Sequence, residues 1–589
     1  MLQFFKYVLA TLVGLLLFFV VGFFLLIGIA ASFSSDPETT VATNSVLKLN
    51  LNRAIDETAA DNPFNELNLP GFGNAPANAG LVQIKEALAN ARLDENIRGI
   101  YLEANYPAAG YATLEEIRNA LLDFKKSGKF VFSYGEVYSE KGFYLSSVAD
   151  QIYLNPAGLL ELNGLSTEYT FFKGTLDKLE IKPEIFKVGD YKSAVEPFTR
   201  EDMSEPSREQ TLSFLNSLND FAFQNIAQAR GLSTEALNRI ADSLSVQNPN
   251  DALRYKLVTH LGYFDQVETA MRKRLKVSED KKIDYVTLSK YRKAPKLVKS
   301  SDSENRIAVI VASGEIVSGN GDGDNIGSDK IAAEIRKARL DKKVKAVVLR
   351  INSPGGSALA SDVMWREVEL TKQVKPIIAS MSDVAASGGY YMAMGCNKIV
   401  AHPNTITGSI GVFGIIPNVE NFLRNKLGIT TDYVETNEYA EFPSATHEMT
   451  AFEKGIIQKS VEQTYDSFTN KAAQGRKMPQ EAIKKIASGR VWSGAEAKQN
   501  GLVDELGGLE DAIRIAAQAA KLKADDYRVR YYPAPKSFVQ EFLSDMNEEN
   551  EARILRNQLG PLAPYAKALQ KMQRLQGIQA RLPFDVEIR

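Results

Sequence analysis

The feature that most constrains this chain is that it contains itself twice. Shifted by 247 residues, Ile100–Pro107 (Ile-Tyr-Leu-Glu-Ala-Asn-Tyr-Pro) falls on Val347–Pro354 (Val-Val-Leu-Arg-Ile-Asn-Ser-Pro). With no gap, Phe130–Ser133 then falls on Ile377–Ser380. Val137, Gly142, Tyr144, Ile152 and Pro156 meet Val384, Gly389, Tyr391, Ile399 and Pro403. The register loosens by one or two residues further on, where Met203-Ser204 meets Met449-Thr450 and Leu257-Val258 meets Leu502-Val503. The first strands, Val46–Leu51 and Ile307–Val311, correspond at a larger offset. Self-similarity at one spacing means one structural unit used twice. The copies are expected at 45–295 and 303–532, joined by the polar, lysine-bearing stretch 296–302.

Within the second copy, β-branched apolar runs at 307–312, 346–351, 377–381 and 398–401 alternate with helical spacing at 330–340 and 360–374 and a further helix starting near Ala385. Strands alternating with helices imply parallel pairing and an α/β fold. Short strands that are apolar on both sides fit a sheet covered by helices on both faces. The expected fold is therefore a tandem duplication of one α/β domain with mostly parallel sheets.

Tyr7 to Phe33 is a run of 27 residues without a charge. About 20 apolar residues cross a bilayer as a helix. The run exceeds the apolar core of a cleavable signal, although Ala30-Ala31 resembles a cleavage site. Lys6 precedes it, and Asp36 and Glu38 follow. That bias puts the N-terminus in the cytoplasm, residues 1–35 in a single anchor through the bilayer, and the body outside. The tail, 533–589, carries apolar residues at loosely helical spacing (Phe538, Phe542, Leu555, Leu559). It is expected to be helical, packing on the body, on another subunit or on the membrane surface.

Charge and composition remove several function classes. Lys plus Arg is 70 against 72 for Asp plus Glu, so no basic excess points to nucleic acid. Cys396 is the single cysteine, which excludes an internal disulfide and a cysteine-rich zinc site. A histidine base would have to be His260, His402 or His447. Gly319–Gly327 misses G-x-G-x-x-G and lacks the distal glutamate of a calcium loop, so it reads as a mobile loop, with no metal and no cofactor expected.

Two segments of the second copy carry chemistry. Asn352-Ser353-Pro354-Gly355-Gly356-Ser357 follows a strand; paired glycines let backbone N–H groups face a site, although an isolated Pro-Gly-Gly is also an ordinary turn. Ala385-Ala386-Ser387-Gly388-Gly389-Tyr390 places a serine among small residues at a helix start, where free N–H groups suit an oxyanion and where a serine also serves as a plain N-cap. The first copy has Ala108-Ala109 and Glu140-Lys141 at these places. That asymmetry suggests a nucleophile kept in one copy and lost in the other. Conversely, Gly189–Phe198 of the first copy holds Lys192, and the matching stretch near Glu438–Pro443 has no lysine. A lone lysine is usually a solvated surface group, and spacing does not make Lys192 a base.

These segments, with Thr407-Gly-Ser-Ile-Gly411 and Tyr191-Lys-Ser-Ala-Val-Glu-Pro-Phe198, resemble the signal peptide peptidase A (protease IV) family in its long form, Ser-Lys peptidases with a Clp-protease/crotonase-like fold. The resemblance covers nearly the whole chain. It implies Ser387 as nucleophile, Lys192 as general base, Ser409 orienting the lysine, and Gly388 with the Gly355-Gly356 turn, Gly356 foremost, as oxyanion hole. It also implies apolar peptides such as signal-peptide remnants as substrates, a homo-tetramer, and a bacterial inner membrane location. The chain would be held in the lipid bilayer by residues 7–33, with its body on the periplasmic side. A serine needs a base, and lysine is one only when neutral. Against a reference pKa of ~10.4, neutrality near pH 7–8 costs about 4 kcal/mol, so the site has to be enclosed and apolar where copies or subunits meet. Two rival readings exist. An acyl-CoA enzyme of the same fold is disfavoured by the anchor, and an inactive scaffold by the persistence of one complete set of groups across the two copies.

Overall fold

The computed structural model describes residues 2–33, 40–59, 78–298, 301–321, 325–533 and 577–582. The repeat is visible element by element. Helices Leu81–Leu93 and Tyr111–Lys125 recur as Ser328–Leu340 and Ala358–Lys372, each displaced by 247 residues (328 − 81 and 358 − 111). The long helix Glu205–Arg230 recurs as Ala451–Arg476, at 246. Both long helices start alike, on a hydroxyl N-cap: Ser204 accepts from the Ser207 amide and Thr450 from the Glu453 amide.

Each copy has its own parallel sheet. The first runs, by strand, His260–Leu261, Gln151–Leu160, Phe130–Tyr138, Ile97–Glu103, Ser45–Asn50, Tyr285–Thr287. The second runs Val491–Ser493, Ile406–Gly408, Ile377–Ala386, Val344–Ser353, Arg306–Ser313, Arg528–Tyr532, antiparallel only at the Val491 edge. The central strand Val344–Ser353 explains the continuous apolar runs: Val347, Leu349 and Ile351 face one core, Ala346 and Val348 the other. Period-two alternation with helices on both sides leaves no position for a polar face. This is an α/β tandem of mostly parallel sheets, as expected.

A third sheet is assembled from everything. Its order is Asn325–Gly327, Glu315–Val317, Gly355–Ser357, Ile578–Arg581, Phe413–Asn418, Lys182–Lys187. Strand Lys182–Lys187 belongs to the first copy by sequence, yet among the described residues it pairs only with the second, antiparallel to Phe413–Asn418. Leu176, Ile181, Ala194, Val195 and Phe198 pack with Phe413 and Ile415 behind it. The first copy thus sends an arm onto its twin. Elsewhere the copies are tied by buried charge: fully buried Arg350 donates to Glu57 (2.8 Å) and Ser382 (3.0 Å) and pairs with Glu116 (2.8 Å). Glu116 also pairs with Lys85 and lies 3.1 Å from His402 Nε2. Burial alone would raise the Glu116 carboxyl, but Arg350 and Lys85 outweigh it and hold it well below the usual range.

Three expectations are revised. The strand before the serine runs on to Ala386, and the helix begins at Gly388 rather than near Ala385, which leaves Ser387 at the bend. The Gly319–Gly327 segment ends in a strand, Asn325–Gly327, with 322–324 outside the described residues. The apolar tail positions from Phe538 to Leu575 lie outside them too; the described part, Gly577–Leu582, holds a strand, not a helix, because it finds open edges in the third sheet. At the other end, helix Leu2–Phe33 has a stretch, Gln3–Gly22, with mean hydropathy 2.4 and none of it buried in the protein, the one such helix among the described residues.

Candidate active site

Ser387 stands between strand Ile377–Ala386 and helix Gly388–Ala393 with φ 53° and ψ −108°, a backbone conformation L-residues avoid. The bend is held by the Ser387 amide donating to Gly408 O (2.8 Å) and by Tyr391 N donating to Ser387 O (2.8 Å). Strain of this kind persists only where surrounding structure over-determines it. Ser409, in the parallel-paired strand's exit, is a second such residue, at φ 50°, with its amide donating to Arg490 O (2.7 Å).

Lys192 arrives on the first copy's arm. Its Nζ lies 3.0 Å from Ser387 Oγ, 3.0 Å from Ser409 Oγ and 3.4 Å from Ser409 O. Lys192, Ser387 and Ser409 are each 0% exposed. Burial pushes the Lys192 amine well below its ordinary value. A neutral amine has two N–H donors and one lone pair. Ser409 Oγ and O can take both donors, which leaves the lone pair for the Ser387 hydroxyl. That hydroxyl also reaches Gly411 O at 3.3 Å.

The arm is positioned by groups the sequence did not announce. Gln210, fully buried on helix Glu205–Arg230, donates to Tyr191 O (3.0 Å) and Ser193 Oγ (3.1 Å), and its carbonyl accepts from Val491 N (3.0 Å). Tyr191 N donates to Ser488 O (3.1 Å). Glu196 accepts from the Ser204 amide, so the acidic residue of the lysine motif ties down the start of that same helix. A Cβ at Gly489 would stand 2.7 Å from Lys192 Cβ, so Gly489 is what lets the stem lie flat against the second copy. Tyr191 and Glu196 belong to the quoted lysine motif; Gln210 and Gly489 had no signal beyond their residue type.

The paired glycines sit across from the serine. Gly355 has φ 98° and Gly356 φ 154°. A Cβ on Gly355 would meet Ala580 O at 2.1 Å, and one on Gly356 would meet Ile316 O at 2.1 Å, so neither position admits a side chain. The same Gly355 Cβ would be 2.8 Å from Gly388 N, which shows how close the turn comes to the amide after Ser387. The Gly355 amide donates to Ser353 Oγ (3.2 Å).

The three histidines lie elsewhere: His402 beside Glu116, His447 3.0 Å from Glu441, and His260 stacked on Tyr153 at 4.5 Å. Among the described residues no cluster of His, Cys, Asp or Glu could hold a metal ion. The single cysteine, Cys396, is buried, and burial raises its thiol. A serine, an amine held neutral, and backbone amides nearby are the equipment of acyl transfer.

The model of peptidase family S49 matches the chain twice, at residues 123–278 and 369–523, and the chain belongs to that family of serine peptidases. Protease 4 of Salmonella typhi is 41% identical over 461 residues, 77% of this chain and 74% of that protein. Protease 4 of Haemophilus influenzae is 35% identical over 567 residues, 92% of this chain and 91% of that protein. Both agree with the signal peptide peptidase A (protease IV) resemblance. A solved structure of a ClpP1 mutant from Listeria monocytogenes is similar with a TM-score of 0.24 and 16% identity, over 35% of this chain and 94% of that one.

Proposed function

We propose that this serine peptidase is a membrane-anchored endopeptidase working through a Ser387–Lys192 dyad split between its two copies. The carrying observation is the Lys192 Nζ at 3.0 Å from Ser387 Oγ in full burial. Neutral Lys192 takes the hydroxyl proton as Ser387 Oγ attacks the peptide carbonyl. Ser409 holds the amine in line. The amides of Gly388 and Gly356 receive the oxyanion; Gly355, whose amide is engaged by Ser353, shapes the turn instead. Lys192 then gives its proton to the leaving amine, and water releases the acyl group.

The substrates are peptides with apolar segments at a membrane, cleaved signal peptides foremost. The enclosed site and helix Leu2–Phe33, which would keep the body beside the bilayer on the periplasmic face of a bacterial inner membrane, support this. The domain limits 45–295 and 303–532, and assembly as a homo-tetramer, belong to the same reading.

The test compares Ser387→Ala and Lys192→Ala on a fluorogenic apolar peptide, with a fluorophosphonate as label. Removing either member should cost on the order of 10⁴-fold in turnover with the fold intact, as for other residues acting as a unit. Near-normal rates in the lysine variant, or label on a serine other than Ser387, would refute the dyad.

A further inference from the structure

One residue of the second copy touches the supports of both partners of the amine. The Arg490 carbonyl accepts from the Ser409 amide (2.7 Å), at the residue with φ 50° whose hydroxyl holds Lys192. The Arg490 guanidinium reaches the other way, into the first copy. Its Nη1 donates to Tyr191 Oη (3.0 Å) and to Glu209 Oε1 (2.8 Å), and Tyr191 Oη donates to Glu209 Oε2 (3.0 Å). The guanidinium also lies over two rings, 4.8 Å from the centre of Tyr191 and 4.4 Å from that of Trp492. A ring from each copy thus shares one cation. Tyr191 immediately precedes Lys192, so the side chain that Arg490 grips sits where the lysine stem leaves the arm.

The internal repeat separates this contact from ordinary packing. Helices Pro249–Arg254 and Gly494–Gln499 correspond at an offset of 245 (494 − 249), which sets Leu244, Ser245 and Gln247 against Gly489, Arg490 and Trp492. The long helices correspond at 246 (451 − 205), which sets Gly455 against Glu209. The arginine and tryptophan therefore stand only in the copy that receives the lysine, and the glutamate only in the copy that sends it. Stability gives little reason for the arrangement: the Glu209 side chain is 53% exposed, and exposed ion pairs contribute about 0–1 kcal/mol.

We propose that Arg490 is a positioning residue for the reaction: gripping Tyr191 with its side chain and Ser409 with its carbonyl, it holds the lysine and its orienting serine in one frame, so that the amine lone pair stays on Ser387. The proposal rests on the Ser387–Lys192 reading and deepens it. Without the guanidinium the arm still docks, through strand Lys182–Lys187 and the Gln210 bonds. What is lost is alignment, and a misplacement near 1 Å costs on the order of 10²-fold in rate. Arginine is required for this because a lysine has no plane to lie between two rings.

The experiment uses the full chain in detergent, with Arg490→Met, Arg490→Lys, Tyr191→Phe and the double variant Arg490→Met/Tyr191→Phe, on a fluorogenic apolar peptide across pH. Both arginine variants should lose roughly 10–100-fold in kcat with KM within about twofold, since the interaction serves the transition state alone. The acid limb of kcat should move up by about one pH unit: among the described residues desolvation alone lowers the Lys192 amine, and a loosened amine meets water. Tyr191→Phe should shift rate and limb the same way but less, and the double variant should be no worse than Arg490→Met, because the two side chains act through one contact. An unmoved limb, full rescue by Arg490→Lys, or additive losses in the double variant would make Arg490 a packing residue and overturn the proposal. If Arg490→Met does not fold, Tyr191→Phe reads the same limb. Fluorophosphonate labelling of the unaltered chain separates the two readings: label on Ser387 with unchanged variants overturns the positioning role alone, whereas no label on Ser387 overturns the dyad and this role with it.

Discussion

The two copies place the same backbone around different chemistry. At the position of Ser387 the first copy has Glu140, and its carboxylate accepts from the amides of Asn163 (3.0 Å) and Gly164 (2.9 Å). At Gly355-Gly356 it has Ala108-Ala109, where Ala108 O accepts from the Ile55 amide (3.2 Å). At Arg350 it has Glu103, which pairs with Lys48 at 2.9 Å, partly exposed. The helices still begin and end in register. A fold is retained by its apolar periodicity, whereas a site is retained only while its few polar groups are all present. The first copy instead keeps the arm that carries Lys192, which has no use in its own sheet.

Four changes test how far that division goes. The largest concerns the buried tie between the copies. Arg350→Met leaves Glu57 buried without its cation and Glu116 with Lys85 alone, and should cost about 3–5 kcal/mol of stability, read from denaturant unfolding; Glu103→Met, the same place in the first copy, should cost less than about 1 kcal/mol, as weakly buried pairs do. Equal losses at the two positions would mean the network does not hold the copies together.

Gly356→Ala writes the first copy's residue into the second. The added Cβ would stand 2.1 Å from Ile316 O and must displace the turn that presents the Gly356 amide, so kcat should fall by roughly 10²–10³-fold, as when an oxyanion-hole donor is removed, with the fold checked by circular dichroism; the reciprocal Ala109→Gly should leave kcat unchanged.

The lysine supplies a pH signature. Its folded pKa is depressed well below the ordinary value by burial. Between the folded and unfolded values the unfolded chain binds one more proton, so stability rises with pH by about 1.4 kcal/mol per unit and levels off above the unfolded value. Lys192→Met should remove that slope and leave the protein more stable at pH 7. The acid limb of kcat/KM should lie far below pH 10.5, since only neutral Lys192 is a base. A limb near an unperturbed lysine would rule the amine out.

The smallest effect is expected at Glu140→Gln. The amide side chain can still accept from Asn163 and Gly164, so turnover should stay within about twofold and stability within about 0.5 kcal/mol. A large loss of activity would mean that the first copy's vestigial corner still serves the reaction.

Much of this is legible in the residues alone. The offset of 247 residues between copies, read from Leu102, Asn105 and Pro107 against Leu349, Asn352 and Pro354, reappears in the helices Leu81–Leu93 and Ser328–Leu340, where Ala91-Arg92-Leu93 falls on Ala338-Arg339-Leu340. Ser387 and the glycines stand out because one copy has them and the other does not. Lys192 can be named only through a family resemblance, since nothing in its spacing separates a buried lysine from an exposed one. Gln210, Gly489 and Arg350 carry no mark at all, because each acts through a partner remote in sequence.

What the amino-acid sequence determined alone was periodic: two α/β units, apolar strands covered on both faces, and one helix long enough for a bilayer. Those follow from patterns local to a few residues, which any chain with that alternation must satisfy. What only the tertiary structure decided was convergence. Residues 192, 387 and 409 meet within 3.0 Å, and the strand Ile578–Arg581 pairs with the paired-glycine segment beside them. Such meetings depend on how packed sheets and arms cross in space, and desolvation of an amine is a property of all that surrounds it rather than of the residues beside it in the chain.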